Sequence, residues 1–307
     1  MAAHDSSAAD WPHARREDAM ALRPNPTLRQ RRLGAELRRM REQAGFGGSQ
    51  LARALGVNPA QITQMEAGKT GISVERLRTI AAACMCVNEE LITALAEIIT
   101  ERGKVGWWES YRGTLSENFL EIAELEDQAR GITTYTITLV PGLLQTESYA
   151  TAVFSQAYPP IPQREIELRT AFRIQRQQTV RSGETKYTAF IHEAALHMQF
   201  GGPQVRADQL DALIEDAGVP GITIRVLPFD GTGLPSPIDN FTYADGPIPD
   251  LDTVQSDTGF GIRRLDMPVH VARFRAIIAR MDSAALPADE SREFIRSLRK
   301  EMKNKHE

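Results

Sequence analysis

The chain has 307 residues, 42% of them hydrophobic and 25% charged, with a net charge of −4 and only two cysteines. This length predicts two domains rather than one, and the composition is that of a protein with packed apolar cores, not a low-complexity or disulfide-stapled chain. No run of about 18 apolar residues appears, which argues against a hydrophobic membrane span. No apolar stretch follows the first charges, so no secretory signal is expected and the expected location is cytoplasmic.

In chain order, residues 1–28 are rich in Ala, Asp and Ser without sustained periodicity, and are expected to form a flexible tail. A helical domain is expected over 29–102, with five helices at about 29–44, 49–55, 59–67, 74–84 and 88–101. In the first helix Leu33, Leu37 and Met40 form the inward stripe while its arginines face out. Ser73 and Asn88 are placed to cap the fourth and fifth helices, and Glu89 and Glu90 follow Asn88, where the helix dipole favours acids. Cys84 and Cys86 fall in an apolar helical stretch and read as reduced core thiols; a metal site would need further ligands nearby.

A domain of class α+β with a mixed, partly antiparallel sheet is expected over 103–307. Gly103, Gly106 and Trp107–Trp108 mark its start, with the tryptophans packing the junction. An acidic helix is expected at 114–130, then a β-branched strand at 133–140 (TTYTITLV). Helices are expected near 144–156, 162–181 and 204–216, strands at 186–191 and 222–229, and short strands in FTYAD, DTVQSD and GFGIRRL. Two helices, about 268–283 and 288–303, close the pattern.

The net charge conceals an asymmetry. Residues 27–78 contain ten Arg or Lys against Glu36, Glu42, Glu66 and Glu75, a local charge of +6, which leaves −10 for the rest. A basic module on an acidic body attracts a polyanion through one region only.

Within that module, residues 46–70 (FGGSQLARALGVNPAQITQMEAGKT) read as two short helices joined by a tight turn. Leu51, Ala52 and Leu55 stand at helical spacing, Gly56 ends the first helix and Val57 plugs the corner. Asn58 is a good N-cap, with Pro59 at the first helical position, where its missing N–H is harmless. Ile62, Met65 and Glu66 form the inward stripe of the second helix, which stops at Gly68. Its outward face keeps Ala60, Gln61, Thr63 and Gln64, side chains suited to reading base edges in a DNA major groove.

Residues 29–100 resemble the phage-repressor-like (XRE) helix-turn-helix family, and QMEAGKT is close to the recognition-helix ending of lambdoid phage repressors. The stretches WWESY, IAELEDQARGITTYTITLVPGLLQTESYA, HEAALHMQFGGPQV and ITIRVLPF resemble the uncharacterised domain that accompanies such modules in actinobacterial antitoxin-like regulators. The resemblance implies a homodimeric transcription factor, often encoded beside a small partner protein. It places Gln61 and Gln64 over base edges, and Asn58, Thr63, Lys69 and Thr70 near phosphates. It also implies a partly buried ion pair between Glu66 and Arg41. Two positions depart from the family. Gly48 stands where relatives begin the second helix with Gln, leaving backbone N–H groups or Ser49 to meet the phosphate. Ala60 replaces a polar reader and suits a thymine methyl.

Other motifs weigh less. The turn Val140–Thr146 reads as strand-to-helix backbone chemistry, with a pocket as the alternative. The Arg- and Gln-rich helix of 163–181 reads as a solvated or dimer-facing surface. HEAALH lacks the i, i+4 histidines of a metalloprotease, since His192 and His197 would diverge on a helix. No phosphate loop with its Lys appears around Gly201–Pro203 or Gly231–Gly233, and no nucleophile stands beside a base. No enzyme activity, cofactor or metal is therefore expected. The expected function is a homodimeric, sequence-specific DNA-binding regulator reading a palindromic operator. Its second domain would sense a small protein partner or ligand. The alternative is an antitoxin-like module that sequesters a small neighbour-encoded protein and binds DNA for autoregulation.

Overall fold

In the computed structural model, residues 25–100, 105–231, 239–258 and 261–304 are described. The expected tail, Gly103, and Thr232 and Gly233 therefore lie largely or wholly outside the described residues. Packing divides the chain into two units, one reaching Val87 and including Ile98–Thr100, the other comprising Asn88–Glu97 and the remainder.

The first unit is helical: α1 (Leu28–Gln43), α2 (Gly48–Ala54), α3 (Pro59–Glu66) and α4 (Val74–Ala83), followed by α5 (Glu89–Thr100), whose residues are divided between the two units. Each start has a local cause. The Thr27 hydroxyl accepts from Gln30 N while Gln30 caps Thr27 N in return, and Ser73 accepts from Arg76 N. The apolar stripes meet in a core of Leu33, Leu37, Met40, Leu51, Ile62, Met65, Leu77 and Ile80, all buried.

Two glycines let α1 touch the end of α3 backbone to backbone. A Cβ on Gly34 would stand 2.3 Å from the Glu66 carbonyl oxygen, and one on Gly68 would stand 2.7 Å from the Gln30 carbonyl oxygen. Gly68 also has φ +71°, a left-handed conformation that terminates α3 as a glycine allows and most residues resist.

The second unit is built on a six-stranded mixed sheet of order β3-β2-β1-β4-β5-β6. Its strands are β1 (Gly131–Thr136), β2 (Lys186–His192), β3 (Ile222–Leu227), β4 (Asn240–Asp245), β5 (Thr253–Thr258) and β6 (Gly261–Leu265). The first three pair in parallel; β4, β5 and β6 extend the sheet antiparallel from the β1 edge. Parallel neighbours need crossovers. These are α7 (Glu147–Ser155), α8 (Gln163–Arg176) and α9 (Gln178–Arg181) between β1 and β2, then α10 (Glu193–His197) and α11 (Pro203–Asp216) between β2 and β3. An acidic helix α6 (Glu117–Gln128) precedes β1, and α12 (Pro268–Ala284) and α13 (Ala288–Asn304) follow β6.

One sheet face carries an apolar cluster of Tyr135, Phe190, Leu227, Phe241, Tyr243 and Val254 with Val271 and Met281 of α12, and the same face holds Arg225 level with Phe190 and Ser256 level with Phe241. The other face divides. On β2 and β3 it offers Ala189, Ile191, Ile222, Ile224 and Val226, all buried. On β1, β4, β5 and β6 the aligned residues Thr134, Thr242, Gln255 and Arg264 make a polar row instead.

Four expectations change here. β1 ends at Thr136 rather than at Val140, because Ile137 N donates to the Asn240 side chain (3.0 Å) and the chain turns away. The helix of 163–181 breaks at Gln177 and is no solvated surface at its end: Arg176 is buried and Arg173 half-buried. His192 and His197 do not share one helix. His192 is the strand-end cap of α10, outside the helical period, and both rings meet Phe229, at centroid distances of 5.4 and 6.0 Å. The tryptophans pack within the second unit, Trp107 lying 5.0 Å from the Phe172 ring and Trp108 in the same cluster.

Gly34→Ala should destabilise the first unit. Alanine gains about 1 kcal/mol of helix propensity, but the clash with a backbone carbonyl of α3 has no flexible neighbour to absorb it, and overpacking costs about 1–3 kcal/mol. Thermal melting followed by circular dichroism should show a lower first transition. A higher one would mean that α1 and α3 are not held at this spacing.

Candidate nucleic-acid interface

The α2–turn–α3 unit presents one solvent-facing helix surface, held from behind by α1. Arg41 of α1 grips Glu66 at the end of α3 with two parallel hydrogen bonds, Nε to Oε1 at 2.6 Å and Nη2 to Oε2 at 3.0 Å. Its Nη1 donates to the Phe46 carbonyl at 2.8 Å, so one guanidinium ties α1 to both the α1–α2 loop and α3. The side chains are only 12% and 13% exposed, and the hydrogen bond to Glu66 raises the Arg41 pKa above its ordinary value. Such a fork is stronger and more directional than a single contact.

The turn between the helices is built locally. The Asn58 side chain accepts from Ala60 N at 2.9 Å, and Gln61 Oε1 accepts from Asn58 N at 3.0 Å, a reciprocal capping box. Gln61 is thus exposed but already occupied at its oxygen. Ala60 and Thr63 are exposed, and Thr63 returns its hydroxyl to the Pro59 carbonyl at 3.3 Å. Gln64 is half-buried, and its Oε1 is covered without a hydrogen-bond partner. Asn58, Ser49 and Lys69 are exposed and Thr70 half-buried; the amides of Lys69 and Thr70 both return to the Gln64 carbonyl, at 2.9 and 3.3 Å. At the start of α2 the side chain of Gln50 caps Gly47 N at 2.6 Å.

The local charge of +6 is unevenly available. Arg32 and Arg39 both pair with the buried Glu36, at 3.1 and 2.7 Å, and Arg38 pairs with Glu42 at 2.7 Å. With Arg41 these four arginines serve acids of their own domain. Arg53 on α2 and Lys69 after α3 are exposed and enter no ion pair among the described residues. Arg53 was missed in the sequence reading because a count of basic residues does not separate paired from unpaired ones. Gly34 was missed too, since a glycine inside a helix announces a close approach only when its neighbour is known.

This arrangement defines a helix-turn-helix protein, the class of DNA-binding regulators, and the comparisons agree: residues 32–95 match a helix-turn-helix domain. Residues 119–297, more than half of the chain, match the Domain of unknown function DUF5753, and the chain belongs to that family. No curated protein and no solved structure matches it. Among the described residues no helix is long and apolar enough to cross a membrane.

Arg41→Ala should cost about 2–4 kcal/mol, the penalty of leaving Glu66 and the Phe46 carbonyl without their buried partner. Chemical denaturation of wild type and variant measures it. An unchanged midpoint for the first unit would deny the pair its bracing role.

Proposed function

We propose that this chain is a sequence-specific transcriptional regulator of the phage-repressor-like type that binds a palindromic operator as a homodimer. The observation that carries the reading is the outward face of α3, where Ala60, Gln61, Thr63 and Gln64 sit on a helix locked by the Arg41–Glu66 fork. Two such helices would enter major grooves about one helical turn apart, roughly 34 Å. No catalytic role, cofactor or metal is assigned, and the site of action is where the DNA is, in the cytoplasm.

The residues divide the work by chemistry. Gln64 is the principal reader: turning its amide outward to an adenine edge would satisfy the carbonyl now covered and unpaired. Gln61 reads only through the N–H groups of its amide Nε2 or by giving up its bond to Asn58, and Ala60 supplies a methyl contact. Ser49, Asn58, Thr63, Lys69 and Thr70 lie toward phosphates, and Arg53 joins them as an unpaired cation.

The second unit senses a ligand or a small protein partner. Exposed Met198, Phe229, Met267 and Val269 favour a protein partner of the antitoxin-like kind, since these apolar side chains stand in solvent on the second unit. Co-purification with a small neighbour-encoded protein, lost in Phe229→Ser, supports that reading; a chain that purifies alone at any expression level counts against it.

Binding isotherms on cognate and scrambled duplexes test the DNA reading. Gln64→Ala should narrow the gap between the two by about 1–3 kcal/mol. Lys69→Ala should weaken both alike and reduce the salt slope by about one. An undiminished preference in Gln64→Ala would remove that residue from the reading face.

A further inference from the structure

The polar half of the second unit's sheet is covered mostly by matched charges. Arg176 and Glu126, both buried, join through bonds of 2.8 and 2.5 Å, and Arg264 pairs with Glu121. Two charged groups beside them have no ionic partner. Arg173 donates Nη1 to Gln145 Oε1 at 2.7 Å and rests its guanidinium 4.2 Å above the Phe154 ring, while its Nε is covered with no hydrogen-bond partner. Asp257 accepts only a long hydrogen bond, 3.3 Å, from Gln255. Asp257 feels the charges of Arg176, Arg264 and, less, Arg173, and Arg173 those of Arg176, Glu126 and, less, Asp257, without a direct ion pair at either.

These groups gather at the carboxyl end of β1, the end at which open sheets with parallel strands hold ligands. Asp257 stands opposite Asn240 in the β4–β5 ladder, and Asn240 holds Ile137 N, the residue after Thr136. Thr136 Oγ1 and Gln255 Oε1 are also buried without partners. Native interiors satisfy nearly all such atoms, so several orphans beside two unpaired charges mark a place built for a polar guest. Asp257 is exposed, yet the atoms packed about it raise its pKa through burial. Burial likewise lowers Arg173 to about 9, and a counter-charge would reverse both shifts.

We propose that this polar end of the sheet binds a small zwitterion such as a free amino acid, its carboxylate on the Arg173 guanidinium and its ammonium group on Asp257. A dianion fits poorly, because the second negative charge would face Asp257. The site names a ligand for the sensing role proposed above, and it rests on that reading for its regulatory meaning only.

The test is a melting-temperature screen of the full chain against the free proteinogenic amino acids at millimolar concentration, with acetate, methylamine and inorganic phosphate as controls, followed by calorimetry. At least one amino acid should raise the melting temperature, while no control matches it. Arg173→Met and Asp257→Asn should each weaken binding about tenfold or more. Asp257 is exposed, so its variant keeps the test decisive if Arg173→Met does not fold. The proposal falls if no amino acid shifts melting, if acetate or phosphate does so equally, or if folded Asp257→Asn binds like wild type. DNA affinity measured without amino acid is a separate readout: its loss in wild type would strike the operator reading and leave this site untouched.

Discussion

The guanidinium of Arg41 is the constraint on which the placement of α3 depends. A helix of eight residues, as α3 is, has too few internal hydrogen bonds to hold its own conformation in water. Its geometry must come from what it packs against. Arg41 supplies that through a fork to Glu66 and a third bond to the loop before α2, while Gly34 and Gly68 let the backbones approach until no side chain fits between. Apolar contacts from Ile62 and Met65 bury the inner stripe but tolerate rotation. The fork does not, because two parallel bonds to one carboxylate fix both distance and direction.

The same economy of charge governs the rest of α1. Glu36 is almost fully buried yet faces Arg32 and Arg39, so much of the positive charge that distinguishes this segment is spent internally. What remains for a polyanion comes from residues such as Arg53 and Lys69 at the edges of the motif. Charged side chains in the helical unit thus have two occupations, bracing and attraction, separated by burial.

In the second unit the sheet shows a comparable division. Where α12 covers it the layer is largely apolar, and its central guanidinium, Arg225, donates to Asp282 and to the carbonyls of Ala285 and Leu286. Over β1, β4 and β5 the opposite layer carries threonines, glutamine and paired charges, and α8 turns Arg173 and Arg176 toward it. A hydrophobic filling of that layer would avoid the desolvation cost. Uncompensated groups in an otherwise matched layer are the kind of local inconsistency that function imposes on a stable fold.

Much was legible in the chain itself. The start and stop of α1 to α4, the capping role of Asn58 and the outward placement of Ala60, Gln61 and Thr63 follow from interactions within a few residues, which the order of side chains alone determines. The close approach at Gly34 and the separate contacts of His192 and His197 with the Phe229 ring were decided by tertiary structure. So was the inward turn of Arg173, whose partner Gln145 lies 28 residues away. The physical reason is common to them all: local order sets which way a side chain leaves its helix or strand, but burial and pairing depend on groups brought near only when the elements pack.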